Sequence, residues 1–534
     1  MNSNLSKIID LLNSGNFAKA ELEVRRLYID NPYSFDLNKI LGLSCLGQKK
    51  YNAALKCFER CYEKNQNDFE TILNLGFLFT KIQFYQQSIE FCNKAININS
   101  EHPSSYQNLA DTYFYLNLYE DAEKNALKAI ELRGGFDSRL FFDNADELVG
   151  LYGDILLAQK KNDEYASYAT RLLAQTYHQN TLIKLLRIDK KLISEKHLDV
   201  VQQVLNKGEE LSNKVSRHVY LSGAHFILAE YYDKIDQNKS EEHYIEGNKL
   251  ISDAQRQSLF TRQKITRQAY EYFSQFNFDD VKKSIDSAKG KGLIFVMGMP
   301  RSGTTLTESI LSTADDIVAG GEKSFFSIQL HQISKDIFNS ENNLDKDFFI
   351  DLGDRYLENI KLHRQGKTFF IDKLPENFFF YKFIKLSLPG AKFINCFRDP
   401  WDNAISLFKQ NYSITVFFAS SFFGIALEYA NYEFLMNFWK KLDGSENFFD
   451  VSYEALVSKD KNFLEKLWKF CGLQGQYTEE KRKKHVGYTA SFQQVTKEIY
   501  KTSIKKNDFA GFKDQFYKDL SSQREYWEKI TTNQ

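Results

Sequence analysis

Leu293 to Leu306 reads LIFVMGMPRSGTTL. Leu293 to Met297 is a short apolar run of the kind buried in a parallel sheet, and a polar loop bounded by Gly298 and Gly303 follows it. From Thr304 the letters TTLTESILST take helical spacing, so the loop opens directly into a helix N-terminus. The first amides of a helix have no intrahelical partner and the helix dipole favours negative charge there. Strand, glycine loop and helix in this order therefore make an anion site.

Gly298, four residues, Gly303, Thr304 and Thr305 keep the spacing of a triphosphate P-loop, but Thr304 stands where the phosphate-binding lysine belongs. A P-loop kinase or NTPase, the alternative enzyme class, thereby loses its γ-phosphate lysine. The cation is Arg301, inside the loop. A plain turn with an incidental arginine would not need so many glycine and hydroxyl positions beside it. The string PRSGTTL resembles the 5′-phosphosulfate loop of sulfotransferases, whose donor is PAPS (3′-phosphoadenosine 5′-phosphosulfate) and whose product is PAP. The resemblance implies that Arg301, Ser302, Gly303, Thr304 and Thr305 hold that donor.

At 534 residues the chain suggests two to four domains. Lys plus Arg and Asp plus Glu both number 70, so no global charge favours nucleic acid or an anionic membrane. Any anion site must be local. The amino terminus MNSNLSKIIDLLNSG shows no signal-peptide pattern, and no stretch has the roughly 20 apolar residues of a membrane span. The aromatic stretch from Phe417 to Phe423 is too short and contains Ser420 and Ser421. A soluble, cytoplasmic protein is expected. Six cysteines without a CxxC pair read as reduced, buried thiols, and Cys57 and Cys61 without neighbouring ligands make no metal site.

The first half is periodic. Gly42, Gly76 and Ala110 recur at a 34-residue step, as do Tyr51, Tyr85 and Tyr119, Leu41, Leu75 and Leu109, and Ala54, Ser88 and Ala122. Phe17 and Ala20 extend the pattern backward. Small residues on both helices of a hairpin let them approach, an aromatic near the turn fills the wedge, and each hairpin leaves an apolar face for the next. The pattern resembles the tetratricopeptide repeat and covers residues 1–135. Helical spacing continues through residues 136–275 with the phase lost, apart from one degenerate hairpin over His225 to Leu250 marked by Ala229, Tyr232 and Gly247. This region is expected to cap the solenoid and join it to the second half. Such repeats offer a concave face to a peptide or protein partner. A scaffold or homodimer surface is the alternative use.

After Gly290 short apolar runs alternate with helical patterns. Candidate strands are Leu293 to Met297, Ile317 to Ala319, Thr368 to Ile371, Phe393 to Phe397 and Phe448 to Val451. The alternation predicts a mostly parallel sheet covered on both faces, with functional groups at the strands' carboxyl ends. The fourth run ends in FRDPWDNAIS, where Asp399 and Pro400 signal a helix start beside Arg398. An anion there would meet a guanidinium fork, helix amides and the Ser406 hydroxyl. An Arg398 to Asp402 ion pair is the purely structural alternative. The segment GGEKSF places Glu322 after two glycines, suited to taking a proton from an acceptor hydroxyl. His331 and His363 are rival bases away from strand ends. IDKLPENF places Lys373 where it can neutralise charge building on a leaving oxygen.

These stretches extend the resemblance. Arg398 and Ser406 keep the spacing of the sulfotransferase 3′-phosphate site, and the GGE of Glu322 is similar to the base segment of protein-tyrosine sulfotransferases. The DKxPxN string around Lys373 is similar to tetratricopeptide-containing sulfotransferases. DVSYEALV implies a donor contact for Tyr453. ASFQQVTKEIY, Ala490 to Tyr500, implies that Ser491 lies near the transferring group, with Lys506 as a further donor contact. The chain departs from the protein-tyrosine pattern at Asn507, where an aromatic is usual, and at Gln410, where an additional arginine is usual. The run KRKKH, Lys481 to His485, reads as a solvated helix face.

The fold expected is an N-terminal all-α repeat solenoid followed by a P-loop-like α/β sulfotransferase domain over residues 290–534. The function implied is PAPS-dependent transfer of a sulfuryl group to a hydroxyl or phenol of a peptide tyrosine, sugar or small molecule. Glu322, Lys373 and Ser491 are the catalytic candidates, and no metal is implied. A non-catalytic repeat scaffold with an inactive nucleotide-binding domain is the alternative outside enzymes. Donor motifs do not identify the acceptor.

Overall fold

The computed structural model describes residues 2–29, 31–136, 146–175, 177–207, 214–255, 259–330, 344–412, 416–475, 477–484 and 508–532. In the first half the repeat step sets the helix starts. First helices of successive hairpins begin at Phe35, Phe69 and Pro103, and second helices at Phe17, Tyr51, Tyr85 and Tyr119. The side chains of Ser34 and Asp68 cap two of the first helices, and Pro103 occupies the first turn of the third. A Cβ on Gly42 would lie 2.8 Å from the Phe58 ring, and one on Gly76 would lie 2.9 Å from Cys92 Sγ. The small positions are thus required by close helix approach. Ser88 does more than stay small: its hydroxyl lies 2.7 Å from that of Thr80 and 2.8 Å from that of Thr112, tying neighbouring hairpins through a buried polar knot.

The chain forms two compact units, Met1–Gln159 with Glu358–His363, and Lys160–Leu357 with Arg364–Gln534. The helices that follow residue 160 therefore belong to the same unit as the sheet. The degenerate hairpin is present as Lys214–Tyr232 and Gln237–Gln255. Gly247 sits where a Cβ would touch Phe226 at 3.1 Å. The next helix, Leu259–Gln275, carries Arg262, whose guanidinium pairs with buried Glu428 at 2.6 Å and with Glu376 at 2.9 Å. It also lies over the Phe379 ring. Phe273, from the same helix, packs against Phe383 and Trp439. The Phe417 to Phe423 stretch is a short 3-10 turn leading into the helix Phe422–Asp443. Among the described residues no helix is long and apolar enough to cross a membrane.

The sheet has five strands: β1 Leu293–Gly298, β2 Ile317–Ala319, β3 Phe369–Lys373, β4 Lys392–Phe397 and β5 Phe448–Ser452. Their order is β2-β3-β1-β4-β5, and every pairing is parallel. Ile294 and Val296 of β1 face one apolar layer with Ile371, Ile394, Leu306 and Trp468. Phe295 points the other way, stacked on Phe393 at 5.6 Å and tilted against Tyr356. Both faces of β1 are covered, which is why it reads as an unbroken apolar run. The third strand runs two residues beyond its apolar letters, because Asp372 and Lys373 are buried with partners. The Tyr356 hydroxyl donates to Asp372 at 2.7 Å and Lys373 Nζ donates to Glu322 at 2.6 Å. All six cysteines are buried free thiols.

Candidate active site

Strand order reverses around β1, so the crevice beyond its carboxyl end is where an α/β sheet of this kind takes ligands. The loop Met299–Gly303 fills that position and opens into the helix Thr304–Leu311. Gly298 has φ +147°, and a Cβ there would come within 2.0 Å of the Cys396 carbonyl oxygen of β4. Gly303 has φ +100°, and its Cβ would meet Tyr453 Cδ2 at 3.0 Å. Between them Arg301 itself holds a left-handed φ of 70°. Such a conformation in a non-glycine residue is sparsely populated and concentrates at functional loops. The Pro300 carbonyl is gripped by Asn403 Nδ2 at 3.0 Å, and the Pro375 carbonyl accepts from the Gly298 amide at 3.0 Å. Three strand ends thus fix one loop.

Several sequence candidates converge on it. Arg301 Nε donates to Ser406 Oγ at 3.0 Å, joining the loop to the helix Pro400–Phe408. Asp399 caps that helix by accepting from the Asp402 amide at 3.0 Å, as the RDP reading requires. Arg398 is buried with its guanidinium 4.4 Å from the centre of the Tyr453 ring, and its carbonyl accepts from the Tyr429 hydroxyl at 2.6 Å. Ser302 and Thr304 are buried, with Ser302 Oγ lacking a hydrogen-bond partner among the described residues, while Thr305 is part-buried at the helix start. Burial pushes the Arg301 guanidinium below its ordinary range. The Tyr412 hydroxyl opposes that shift, and the charges of Arg187 and Arg398 reinforce it.

Glu322 and Lys373 meet because the backbone aligns their segments. The Gly320 amide donates to the Ile371 carbonyl at 2.7 Å and the Lys373 amide to the Gly321 carbonyl at 2.9 Å, continuing the β2 to β3 pairing past β2. A Cβ on Gly320 would lie 2.3 Å from Phe370, and Gly321 has φ +67°, so both glycines before Glu322 have a steric reason. Lys373 is fully buried, whereas the Glu322 side chain is 49% exposed. Asp372 and Asn377, at the ends of the DKxPxN string, bond to one another at 3.1 Å and close the loop after β3. Burial lifts the Asp372 carboxyl to about 7.

Some candidates fall elsewhere. Ser491, Lys506 and Asn507 lie outside the described residues, as does His331. His363 is buried within the helix Lys346–Arg364, with its Nε2 3.1 Å from Asn117 Nδ2 of the repeat unit. The run from Lys481 is only partly a solvated face. Lys481 is exposed and pairs with Asp315 at 2.6 Å, but Arg482 is buried and paired with Glu479. Burial pushes Glu479 up, and the Arg482 and Tyr477 hydrogen bonds outweigh it, carrying the carboxyl down to about 2. The run's apparent charge excess hides this local neutralisation.

Three contributors carry no motif. Glu308, buried in the loop's own helix, accepts from the Gly321 amide at 2.9 Å and so links the anion loop to the Glu322 segment. Its only signal is a lone carboxylate in a helix of otherwise uncharged residues. Tyr412 is pushed up to about 12 by burial, with Arg301 opposing and Glu322 adding to the shift, which puts it in the field of both. Arg187, from the helix Gln179–Ile188 more than 100 residues before the loop in sequence, bonds the Gln410 amide oxygen just past the helix that carries Ser406.

The class defined by this geometry is a P-loop-like α/β domain whose anion loop lacks the triphosphate lysine. Residues 294–479 match the sulfotransferase family, and residues 103–135 match the tetratricopeptide repeat. The chain therefore carries a sulfotransferase-family domain behind tetratricopeptide repeats, which supports a transferase of that type. An uncharacterised protein of Aquifex aeolicus is 27% identical over 334 residues, covering 59% of this chain and 42% of that protein. BBSome complex member BBS4 of Xenopus tropicalis is 29% identical over 126 residues, 24% of this chain and 22% of that one. The chain thus spans less than half the length of these curated relatives. Among solved structures, a thermophilic TPR protein of Thermus thermophilus is 14% identical, covering 35% of this chain and 97% of that chain with a TM-score of 0.30. MamA is 17% identical over 31% of this chain and 91% of its own, with a TM-score of 0.26.

Proposed function

We propose that this chain is a PAPS-dependent sulfotransferase that modifies a hydroxyl or phenol. The observation that carries the reading is the meeting of Arg301 with Ser406, beside Arg398 on Tyr453, at a loop flanked by the Lys373 to Glu322 pair. The donor fits these residues on two counts. The loop presents glycines whose Cβ atoms would fill the cradle, and Ser302 Oγ is buried without a hydrogen-bond partner among the described residues. When bound, PAPS supplies an activated sulfuryl group and leaves as PAP.

The residues divide the work. Arg301 and the amides that start the helix at Thr304 would hold one anionic end, and Arg398 with Ser406 the other, each through charge-assisted bonds. Tyr453 would stack beside the donor while wedged on Gly303. Lys373 holds Glu322 Oε1 at 2.6 Å, which leaves Oε2 to take the acceptor's proton. Lys373 is also the buried cation nearest that proton's destination, placed to neutralise charge on the departing oxygen. Ser491 and Lys506 remain part of the proposal as donor contacts on the strength of the sequence alone.

In the first unit a groove of about 1370 Å³, lined by Lys39, Tyr51, Asn74, Phe77, Asn108 and Arg133, supports a peptide or protein partner on the repeat face.

Calorimetric titration with PAP, against ATP and magnesium, tests the donor assignment: PAP should bind and ATP should not. Tight ATP binding with none to PAP returns the domain to the NTPase class. With labelled PAPS and a mixed panel of peptide tyrosines, sugars and phenols, Glu322→Gln should keep PAP affinity and lower turnover by about two orders of magnitude or more. Unchanged turnover would move the base elsewhere.

A further inference from the structure

The peptide just before Glu322 has little to hold it in place. A Cβ on Gly321 would meet nothing within 4 Å, so packing does not fix that residue. Its φ of +67° is one that glycine enters and leaves without steric penalty. Strand β3 takes part of the load: the Gly320 amide donates to the Ile371 carbonyl at 2.7 Å, and the Gly321 carbonyl accepts from the Lys373 amide at 2.9 Å. The Gly321 amide finds its partner elsewhere, in Glu308 Oε1 at 2.9 Å.

Glu308 is a costly residue to use for one backbone bond. It is 4% exposed, in the helix Thr304–Leu311 beside buried Leu306, Ile310 and Leu311. A carboxylate is taken out of water only where bonds and neighbouring charge compensate. Burial lifts its carboxyl above the ordinary range, with the Lys373 charge and the Gly321 bond opposing. The place of this helix gives the bond its significance, because the helix starts directly from the anion loop at Gly303. Glu322 is therefore referenced to two elements, to β3 through Lys373 Nζ at 2.6 Å and to the loop's helix through Glu308. In-line transfer needs the proton acceptor and the group being transferred in fixed relative positions, and a misplacement of about 1 Å is enough to cost about 100-fold in rate.

We propose that Glu308 is a positioning residue for sulfuryl transfer: by holding the Gly321 amide it sets Glu322 in a fixed place relative to the donor loop from which its own helix begins. This rests on the donor and base assignments given above. It asks of residue 308 a side-chain oxygen at the reach of glutamate, and does not ask for the charge.

Two substitutions in the full chain separate reach from charge. Glu308→Gln keeps an acceptor oxygen at the same reach without the charge, whereas Glu308→Asp keeps the charge and withdraws the oxygen by one methylene. With labelled PAPS and the acceptor panel, Glu308→Asp should lower kcat about 10- to 100-fold and Glu308→Gln by no more than about threefold, while calorimetry finds PAP affinity within about threefold of wild type in both. In a Glu322→Gln background Glu308→Asp should lower kcat little further, since a residue that acts through another is not additive with it. Hydrogen exchange read by mass spectrometry needs no acceptor: the peptide containing Gly321 should exchange faster in Glu308→Asp than in wild type or Glu308→Gln. Equal exchange in all three overturns the proposal. So does turnover kept in Glu308→Asp but lost in Glu308→Gln, PAP affinity falling in step with kcat, or full additivity with Glu322→Gln. A wild-type chain that binds no PAP, or unchanged turnover in Glu322→Gln, would instead overturn the reading on which this rests.

Discussion

At the scale of single residues, the site depends on backbone positions that only one residue type can occupy. Gly298 combines φ +147° with a Cβ position 2.0 Å from a carbonyl oxygen of the paired strand. Strand β4 cannot retreat without breaking its register with β1 and β5. Gly298→Ala should therefore cost about 3 kcal/mol or more, as expected where a strained dihedral and a backbone clash coincide. Urea denaturation measures it, and an unchanged midpoint would mean that the loop relaxes freely. The glycines before Glu322 and the Asp and Pro after Arg398 were legible because their steric and capping roles are local. Glu308, Tyr412 and Arg187 were not, since nothing in their immediate sequence reports what folds against them.

At the scale of elements, the 34-residue step predicted helix starts because each hairpin repeats one packing solution. Past the repeats the phase disappears while the helices persist, and a different interaction holds the hairpin Lys214–Tyr232 with Gln237–Gln255. His225 and His243 face one another with Nδ1 atoms 3.0 Å apart, and Tyr232 stacks on the second ring. Burial and then the His243 charge lower His225 from 6.5 to about 4, with Glu246 opposing. Between those values the unfolded chain binds a proton that the folded chain does not, so this histidine's contribution is present above pH 6.5 and lost as pH falls toward 4. The melting temperature should drop more between pH 7 and pH 5 in the wild type than in His225→Gln. Equal drops would show that the pair titrates normally.

At the scale of the whole molecule, the helices after residue 160 share a unit with the sheet. Arg262 from one of them neutralises Glu428, which is 1% exposed, and Phe273 fills a slot beside Trp439. A fragment starting at Gly290 would leave that carboxylate unpaired and that slot open. Breaking a buried pair from one side typically costs about 3–5 kcal/mol. A fragment covering 160–534 should therefore unfold cooperatively at a higher temperature than one covering 290–534, as differential scanning calorimetry would register. Equal stability would show that the α/β part needs no helical support.

The sequence by itself determined the repeat period, all five strands to within two residues, and the loop whose missing lysine separates it from triphosphate sites. Each is written in local periodicity, in glycine and proline chemistry, or in a short motif. Tertiary structure alone decided that Arg301 reaches Ser406, that Lys373 holds Glu322, and that Arg187 meets Gln410 from a distant helix. Such contacts depend on strand order and helix docking, which bring together residues whose separation along the chain carries no record of their distance in space.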